Sequence, residues 1–427
     1  MLAASVLSVH VSPSLAPQAE IVSPAEQPVL QGKTVAMATF SPYPADPRPR
    51  RAVDALLEAG MRVDLVCLRE PNQSAREQIG GLNILRVPIV HKRGGKLSYL
   101  LEYSAFIFAA SAVFAARTLR RRYDLVHIHN MPDILVLSGL IPKSLGAKII
   151  LDMHDPMPEL MGTTLDRGED TFAVRLLLKL ERWSMAQADS VITTHVAFQK
   201  TFASRSCDAT KLRIVGNSPD EKIFALRGER RVTEKARNSG FTVMYHGTLV
   251  ERNAADLAVE AFAKVRQNVP DAQLFIYGKR TPFLDKVLQS ARETGVADSV
   301  KYCGAKRLED VVRAIDDCDV GIVPHRRSAF IELTMPTRIF EFLARGKPVI
   351  APRTRGICDY FGEDSLLFFE PGNCDDLARQ IAYVFSHPAE VGEIVRRGQE
   401  VLRLNAWAGE KQRYLQIVSD LLTPKTA

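Results

Sequence analysis

The stretch PTRIFEFLARGKPVIAP, residues 336–352, carries an apolar helix through a glycine turn into a short buried strand. Pro336 suits a first helical turn, because its fixed φ fits a helix and its missing N–H would have no intrahelical partner there. Ile339, Phe340, Phe342 and Leu343 supply an apolar face, Gly346 a C-terminal stop, and Pro348-Val349-Ile350-Ala351 a strand with no polar side chain. Glu341 is the residue that does not fit. Its carboxylate either faces solvent on an ordinary amphipathic helix or is aimed at a cleft, where it could accept hydrogen bonds from ribose hydroxyls beside a phosphate held at a helix N-terminus.

Working outward, the same rhythm fills the chain. From Thr34 the strand-like runs TVAMATF, RVDLVCL, LNILRVPI, YDLVHIH, KIILDMH, SVITTH and LRIVGN alternate with amphipathic stretches. After a polar interval containing RGERR, the alternation restarts with TVMYHGT, AQLFIYG, SVKYCG, VGIVPH, KPVIAP and SLLFFE. Strands alternating with helices predict doubly wound parallel sheets, and 427 residues exceed what one hydrophobic core organises. The expected organisation is a disordered tail over 1–32, an α/β domain over 33–217, a linker over 218–241, a second α/β domain over 242–404 and a C-terminal helix over 405–427 that can cross back to the first.

Composition narrows the class. With 46% apolar and 25% charged residues the chain is neither fibrous nor disordered. Six cysteines without CxxC spacing suggest neither a zinc site nor a disulfide framework and suit a reducing cytoplasm. A net charge of +7 fits anionic small molecules, an anionic membrane surface or nucleic acid. The basic clusters lack interleaved aromatics, so no nucleic-acid partner is expected. The apolar run YLLEYSAFIFAASAVFAA, residues 99–116, is interrupted by Glu102 and falls short of the ~20 apolar residues of a span. A buried or interfacial helix is expected; its basic flanks suit an acidic lipid surface or a lipid-diphosphate acceptor, with a core helix and solvated ends as the plainer reading.

Two facing sheets of this kind bind ligands at the carboxyl ends of their strands. Residues with usable chemistry recur there: Asp46 and Arg48, His129, His154-Asp155, Gly247, Gly278-Lys279-Arg280 and Pro324-His325. His127 and His129 are placed on opposite faces of their strand, His127 in the core and His129 toward the cleft. No Asp-x-Asp pair follows a strand, so no metal site is expected; Asp316-Asp317 and Asp375-Asp376 fall on helices as solvated caps or faces.

The run from YHGTL through IYGKR, PHRRSAF and PTRIFEFLARGKPVIA to FFEPGNCDDLARQI resembles the donor-binding domain of family-four retaining glycosyltransferases of the GT-B fold. SPYPADPRPRRAVDALLEAGMRVDLV, YDLVHIHNMPDILV and AKIILDMHDPMPEL resemble the acceptor domain of its bacterial surface-polysaccharide members. The resemblance implies transfer of a sugar from a nucleotide diphosphate sugar to a glycan or lipid-linked acceptor, with retention and without a metal or other cofactor, in the cytoplasm or at the inner membrane face. It matches Glu341 to a ribose-binding glutamate, His154 to a histidine near the transferred sugar, and Asp46 to an acceptor-side position. Gly247, Thr248, Pro336, Thr337, Arg338, His129 and Asp155 complete the implied substrate site.

The departures are specific. The position of a partner glutamate in many members falls on Leu333, with Glu332 beside it, and the two usual cations fall on Thr248 and Asn253. Arg252 is the expected replacement, with Lys279 or Arg280 as second choice, because the leaving-group charge needs a cation. A sugar-nucleotide epimerase of similar architecture and a catalytically degenerate binding partner remain as alternatives.

Overall fold

The computed structural model describes residues 29–89, 96–165, 171–228 and 240–423. The first sheet has the order β3-β4-β2-β1-β5-β6-β7-β8, with β1 Thr34–Pro42, β2 Arg62–Leu68, β3 Arg76–Ile79, β4 Leu82–Val87, β5 Leu125–His129, β6 Lys148–Met153, β7 Ser190–Thr193 and β8 Leu212–Ile214. The second has the order β11-β10-β9-β12-β13-β14, with β9 Thr242–His246, β10 Gln273–Tyr277, β11 Val300–Gly304, β12 Val320–Ile322, β13 Val349–Pro352 and β14 Leu367–Phe369. All described pairings are parallel except β3 with β4. Both sheets reverse direction at a central strand, β1 in the first and β9 in the second, which opens a crevice at the carboxyl ends.

The sheet interiors explain why the strands read as unbroken apolar runs. Val35, Ala36, Met37 and Ala38 of β1 and Val243, Met244 and Tyr245 of β9 are fully buried, covered by helices on both faces. Residues 1–28 of the expected tail lie outside the described residues, but Leu30 at its end is fully buried in the first core. Of the expected linker, 229–239 lies outside the described residues, while Phe224 is buried in the second core and the Arg227 N–H donates to Ala344 O at 2.7 Å. The helix Trp407–Leu422 follows both sheets and returns to the first, burying Tyr414, Ile417 and Val418 in the core formed by Val35 and Met37.

Candidate active site

The helix Thr337–Ala344 begins one residue after Pro336, whose ψ of 123° makes it the cap rather than the first turn. Arg338 then sits over the end of β9. It donates to His246 O at 2.9 Å, and its guanidinium lies 5.4 Å from the Tyr245 ring. The chain leaves β9 through Gly247 at φ +136, where a Cβ would meet the Arg338 guanidinium at 2.9 Å; at Gly278 a Cβ would strike Gly247 O at 2.2 Å. Only glycine at both positions lets two strand ends and one guanidinium close together.

Glu341 lies one turn beyond Arg338. Its carboxylate is 3.4 Å from His246 Nε2, and its side chain is 18% exposed. It is therefore not a solvent-facing residue. Burial pushes its carboxyl up to about 7, against the pull of Arg338 and Arg51. Burial and then Arg338 hold the His246 imidazole down to about 3, so it is neutral at pH 7. His325, after β12, is 3% exposed, and among the described residues neither ring nitrogen has a hydrogen-bond partner. Burial, then the charges of Arg338 and Arg252, keep it well below the usual histidine range. Among the described residues Arg338 and Arg252 have no carboxylate partner. This wall thus holds two uncompensated cations and a neutral imidazole with both nitrogens unused.

The opposing wall is wired internally. Against the expectation of opposite faces, His127 and His129 share one face of β5 and stack at 4.3 Å between ring centroids, because residues two apart on a strand point the same way. Both turn toward Asp152 on the neighbouring β6, whose carboxylate is 3.6 Å from His127 Nε2 and 3.2 Å from His129 Nδ1. His154 closes the cluster, its Nδ1 3.2 Å from Asp152 and its Nε2 3.2 Å from His129 Nδ1. Burial alone would raise the Asp152 carboxyl, but the imidazoles of His154, His127 and His129 hold it well below the usual range. Tyr414, from the C-terminal helix, bonds His127 Nδ1 at 2.8 Å.

Asn130 fixes the backbone of this wall. Its amide oxygen accepts from His154 N–H at 2.8 Å, and its amide nitrogen donates to Asp133 and to Asp155 O, both at 3.0 Å. Asp46 caps the helix Pro47–Glu58, accepting from Arg48 N–H at 3.1 Å, and its side chain lies 3.4 Å from the Arg48 guanidinium. Burial would raise the Asp46 carboxyl, but Arg48 and then His154 lower it.

Between the walls lies a cleft of about 270 Å³, lined by Arg48, His154 and Asp155 on one side and by Arg252, His325 and Arg338 on the other. Pro336 and Thr337 also line it. Glu341 and Gly247 stand beside it, and His129 and Asp46 support His154 and Arg48 from behind. The other expectations are not met. Lys279 and Arg280 are exposed and do not line the cleft, and Arg280 pairs with Asp285 at 2.7 Å. Thr248 exposes its side chain, while its carbonyl accepts from Asn253 Nδ2 at 2.7 Å and so shapes the turn. Glu332 pairs with Arg327 and accepts from Arg355 N–H; Leu333 is buried against the first domain, its carbonyl bonded by His195 Nε2 at 2.6 Å. Neither supplies a second carboxylate. Asp316 is not solvated either: it binds Arg345 through two contacts of 2.9 Å.

Sequence reasoning missed Asn130, Asp152, Arg51, His246 and Asn217. Arg51, 6% exposed, stacks over Trp407 at 5.0 Å and bonds Asn217, whose Nδ2 donates to Thr337 Oγ1 at 3.3 Å, so the crossing between domains is tied to the start of the Glu341 helix. HNMPD and LDMHD held part of the signal: polar residues inside or directly after apolar strands need partners, and they find each other on adjacent strands.

The comparisons agree with this geometry. Residues 45–218 match the glycosyl transferase 4-like domain, and residues 240–387 match glycosyl transferases group 1. The chain is 23% identical over 372 residues to 2-deoxystreptamine glucosyltransferase of Streptomyces kanamyceticus, covering 82% of this chain and 91% of that protein. It is also 23% identical to sulfoquinovosyl transferase SQD2 of Arabidopsis thaliana, covering 67% of this chain but only 54% of that longer protein. Sucrose-phosphate synthase of Thermosynechococcus elongatus superposes with a TM-score of 0.73 at 19% identity, over 91% of this chain and 99% of that one. Anabaena HepE, solved with UDP, superposes with a TM-score of 0.65 at 14% identity, over 91% and 100%. With both halves matched in the order its two walls require, the chain belongs to the family-four glycosyltransferases of the GT-B fold.

Proposed function

We propose that this glycosyltransferase takes its sugar from a nucleoside diphosphate sugar held on the second-domain wall. The acceptor is a glycan or lipid-linked glycan presented on the first-domain wall, and the anomeric configuration is retained. The observation that carries this reading is the set of groups unmatched among the described residues on one wall: Arg338 and Arg252 without carboxylates, His325 with two free nitrogens, and Glu341 one turn from Arg338. A diphosphate satisfies the cations, and ribose hydroxyls satisfy the carboxylate. The neighbours solved with UDP and with UDP-glucose support the donor class.

In this reading the acceptor hydroxyl attacks from the face the diphosphate leaves. The bond from the anomeric carbon to the phosphate oxygen breaks, the bond to the acceptor oxygen forms, and the hydroxyl proton passes to the leaving phosphate. Arg338 and Arg252 carry the developing negative charge, so the step calls for no metal. His154, held by Asn130 and Asp152, orients the sugar or the acceptor by hydrogen bonding and need not take a proton. Surface polysaccharide assembly in the cytoplasm, against the inner membrane face, is the setting this acceptor class suits.

The test is nucleotide release from a panel of nucleoside diphosphate sugars, with and without a lipid-linked acceptor. Acceptor-dependent release with a retained linkage supports the proposal. Acceptor-independent conversion of the donor would favour an epimerase, and no donor binding at all a degenerate homologue.

A further inference from the structure

Among the described residues, ten of the fourteen exposed large apolar side chains lie on three adjoining elements of the first domain: the helix Lys96–Arg120, the segment 133–145, and the helix Phe172–Gln187. The middle element packs against both helices, so the three form one face. The long helix buries Phe106, Ala110 and Phe114 in the core, and Arg117 pairs with Asp64 at 2.8 Å. An ordinary helix seated this way turns a polar face outward. This one instead exposes Leu101, Ala105, Phe108, Ala112, Ala116 and Leu119, a stripe at intervals of three and four, with Phe108 77% and Leu119 81% exposed. Only 22% of its most apolar stretch is buried.

The neighbouring helix supplies the charge. Phe172, Leu176 and Trp183 are exposed, interleaved with the exposed Arg175, Lys179 and Arg182. Its single carboxylate, Glu181, is fully buried and paired with Arg205 at 2.8 Å. Arg120, Arg121 and Arg122 add exposed cations at the end of the long helix. Apolar side chains, an indole and cations on one face, with the acid turned inward, fit an anionic bilayer interface. A spanning role does not fit, because Phe106, Ile107, Ala110 and Phe114 anchor one face of the long helix in the core of the first domain.

We propose that this face seats the enzyme on an anionic phospholipid membrane, with the helix Lys96–Arg120 lying in the plane of the interface. The helix Phe172–Gln187 packs on Met157–Leu165, which starts two residues beyond Asp155, so docking sets the acceptor side of the cleft next to the lipid. The catalytic benefit rests on the lipid-linked acceptor reading; the docking itself does not.

Flotation of the full chain with vesicles of phosphatidylglycerol and phosphatidylcholine tests it. The wild type is expected to bind these vesicles at least tenfold more than pure phosphatidylcholine, and the difference should shrink in high salt. The double variant Phe108→Asp/Leu119→Asp, checked for folding by circular dichroism, should lose at least tenfold in binding while keeping its donor affinity in the absence of vesicles. Arg175→Glu/Lys179→Glu should lose binding with the apolar stripe intact. No flotation, equal binding to neutral vesicles, or variants that float like the wild type would overturn the proposal. So would a dimer in sedimentation that the Asp variants dissolve while flotation is absent, since a second copy would then cover the face. Failed donor binding with flotation intact would count against the proposed transfer reaction and leave the docking standing.

Discussion

The two walls of the cleft solve the same problem in opposite ways. On the first-domain wall, Asp152 gathers three histidines, Asn130 fixes the backbone of His154, and Tyr414 reaches back from the C-terminal helix, so each histidine has at least one partner within the wall. On the second-domain wall, Arg338 and Arg252 have no carboxylate among the described residues, and His325 has no partner at either nitrogen. Buried polar groups left unmet are costly, so the second wall is built for a ligand that completes it, whereas the first is already organised and only needs to be met. Tightly bound charge belongs on the incomplete wall, and positioning belongs on the complete one.

The contrast can be broken most forcefully at Asp152. Asp152→Ala takes away the carboxylate that three buried imidazoles share and leaves their N–H donors unmet, which should destabilise the protein by about 3–5 kcal/mol in denaturant titrations; a loss under about 1 kcal/mol would mean the cluster is not held together by Asp152. Next is Arg338→Ala, expected to cost about 3 kcal/mol of transition-state stabilisation, a hundredfold or more in kcat/KM. A change of only a fewfold would remove Arg338 from the charge-bearing role.

Glu341 sharpens the comparison through pH. Its folded pKa of about 7 lies above its ordinary 4.5, so the folded state favours the protonated form. That contribution is complete below pH 4.5 and is lost as pH rises through about 7. Glu341→Gln should therefore raise stability at pH 8 by about 1–3 kcal/mol, with little effect at pH 4, while abolishing the rise in donor affinity expected between pH 6 and 8. Equal effects at both pH values would contradict the assignment. His325→Phe should stabilise the free protein by about 1 kcal/mol and weaken donor binding three- to tenfold in calorimetry; unchanged affinity would show that its nitrogens do not meet the donor. Lys279→Ala should leave kcat/KM within twofold, and a larger loss would bring that loop back into the site.

The fold was almost fully legible. Thirteen of the fourteen described strands coincide with apolar runs, because a sheet covered on both faces needs uninterrupted apolar sequence. The exception, REQI at Arg76–Ile79, is exposed at all four residues and pairs antiparallel at the edge, so no core ever selected an apolar pattern there. The site was legible where one position decides it. Glu341, His154 and Arg252 stand out by residue type after a strand or on an apolar helix, and the structure sets all three in or beside the cleft. Groups whose role comes from pairing across strands were not legible. Asp152 looks like a misplaced charge until β5 is seen beside it, and Lys279 looked usable until its loop was seen to stay outside the cleft. The run 99–116 gave its apolar content but not which side it turns outward.

The most direct test is a calorimetric titration of the nucleoside diphosphate sugar that the wild type binds best, at pH 8, into the wild type, Glu341→Ala and His154→Ala. If the second-domain wall alone holds the donor's nucleotide, Glu341→Ala weakens binding about tenfold, and His154→Ala leaves it within twofold. Unchanged affinity in Glu341→Ala, or an equal loss in His154→Ala, would contradict the division of labour between the walls.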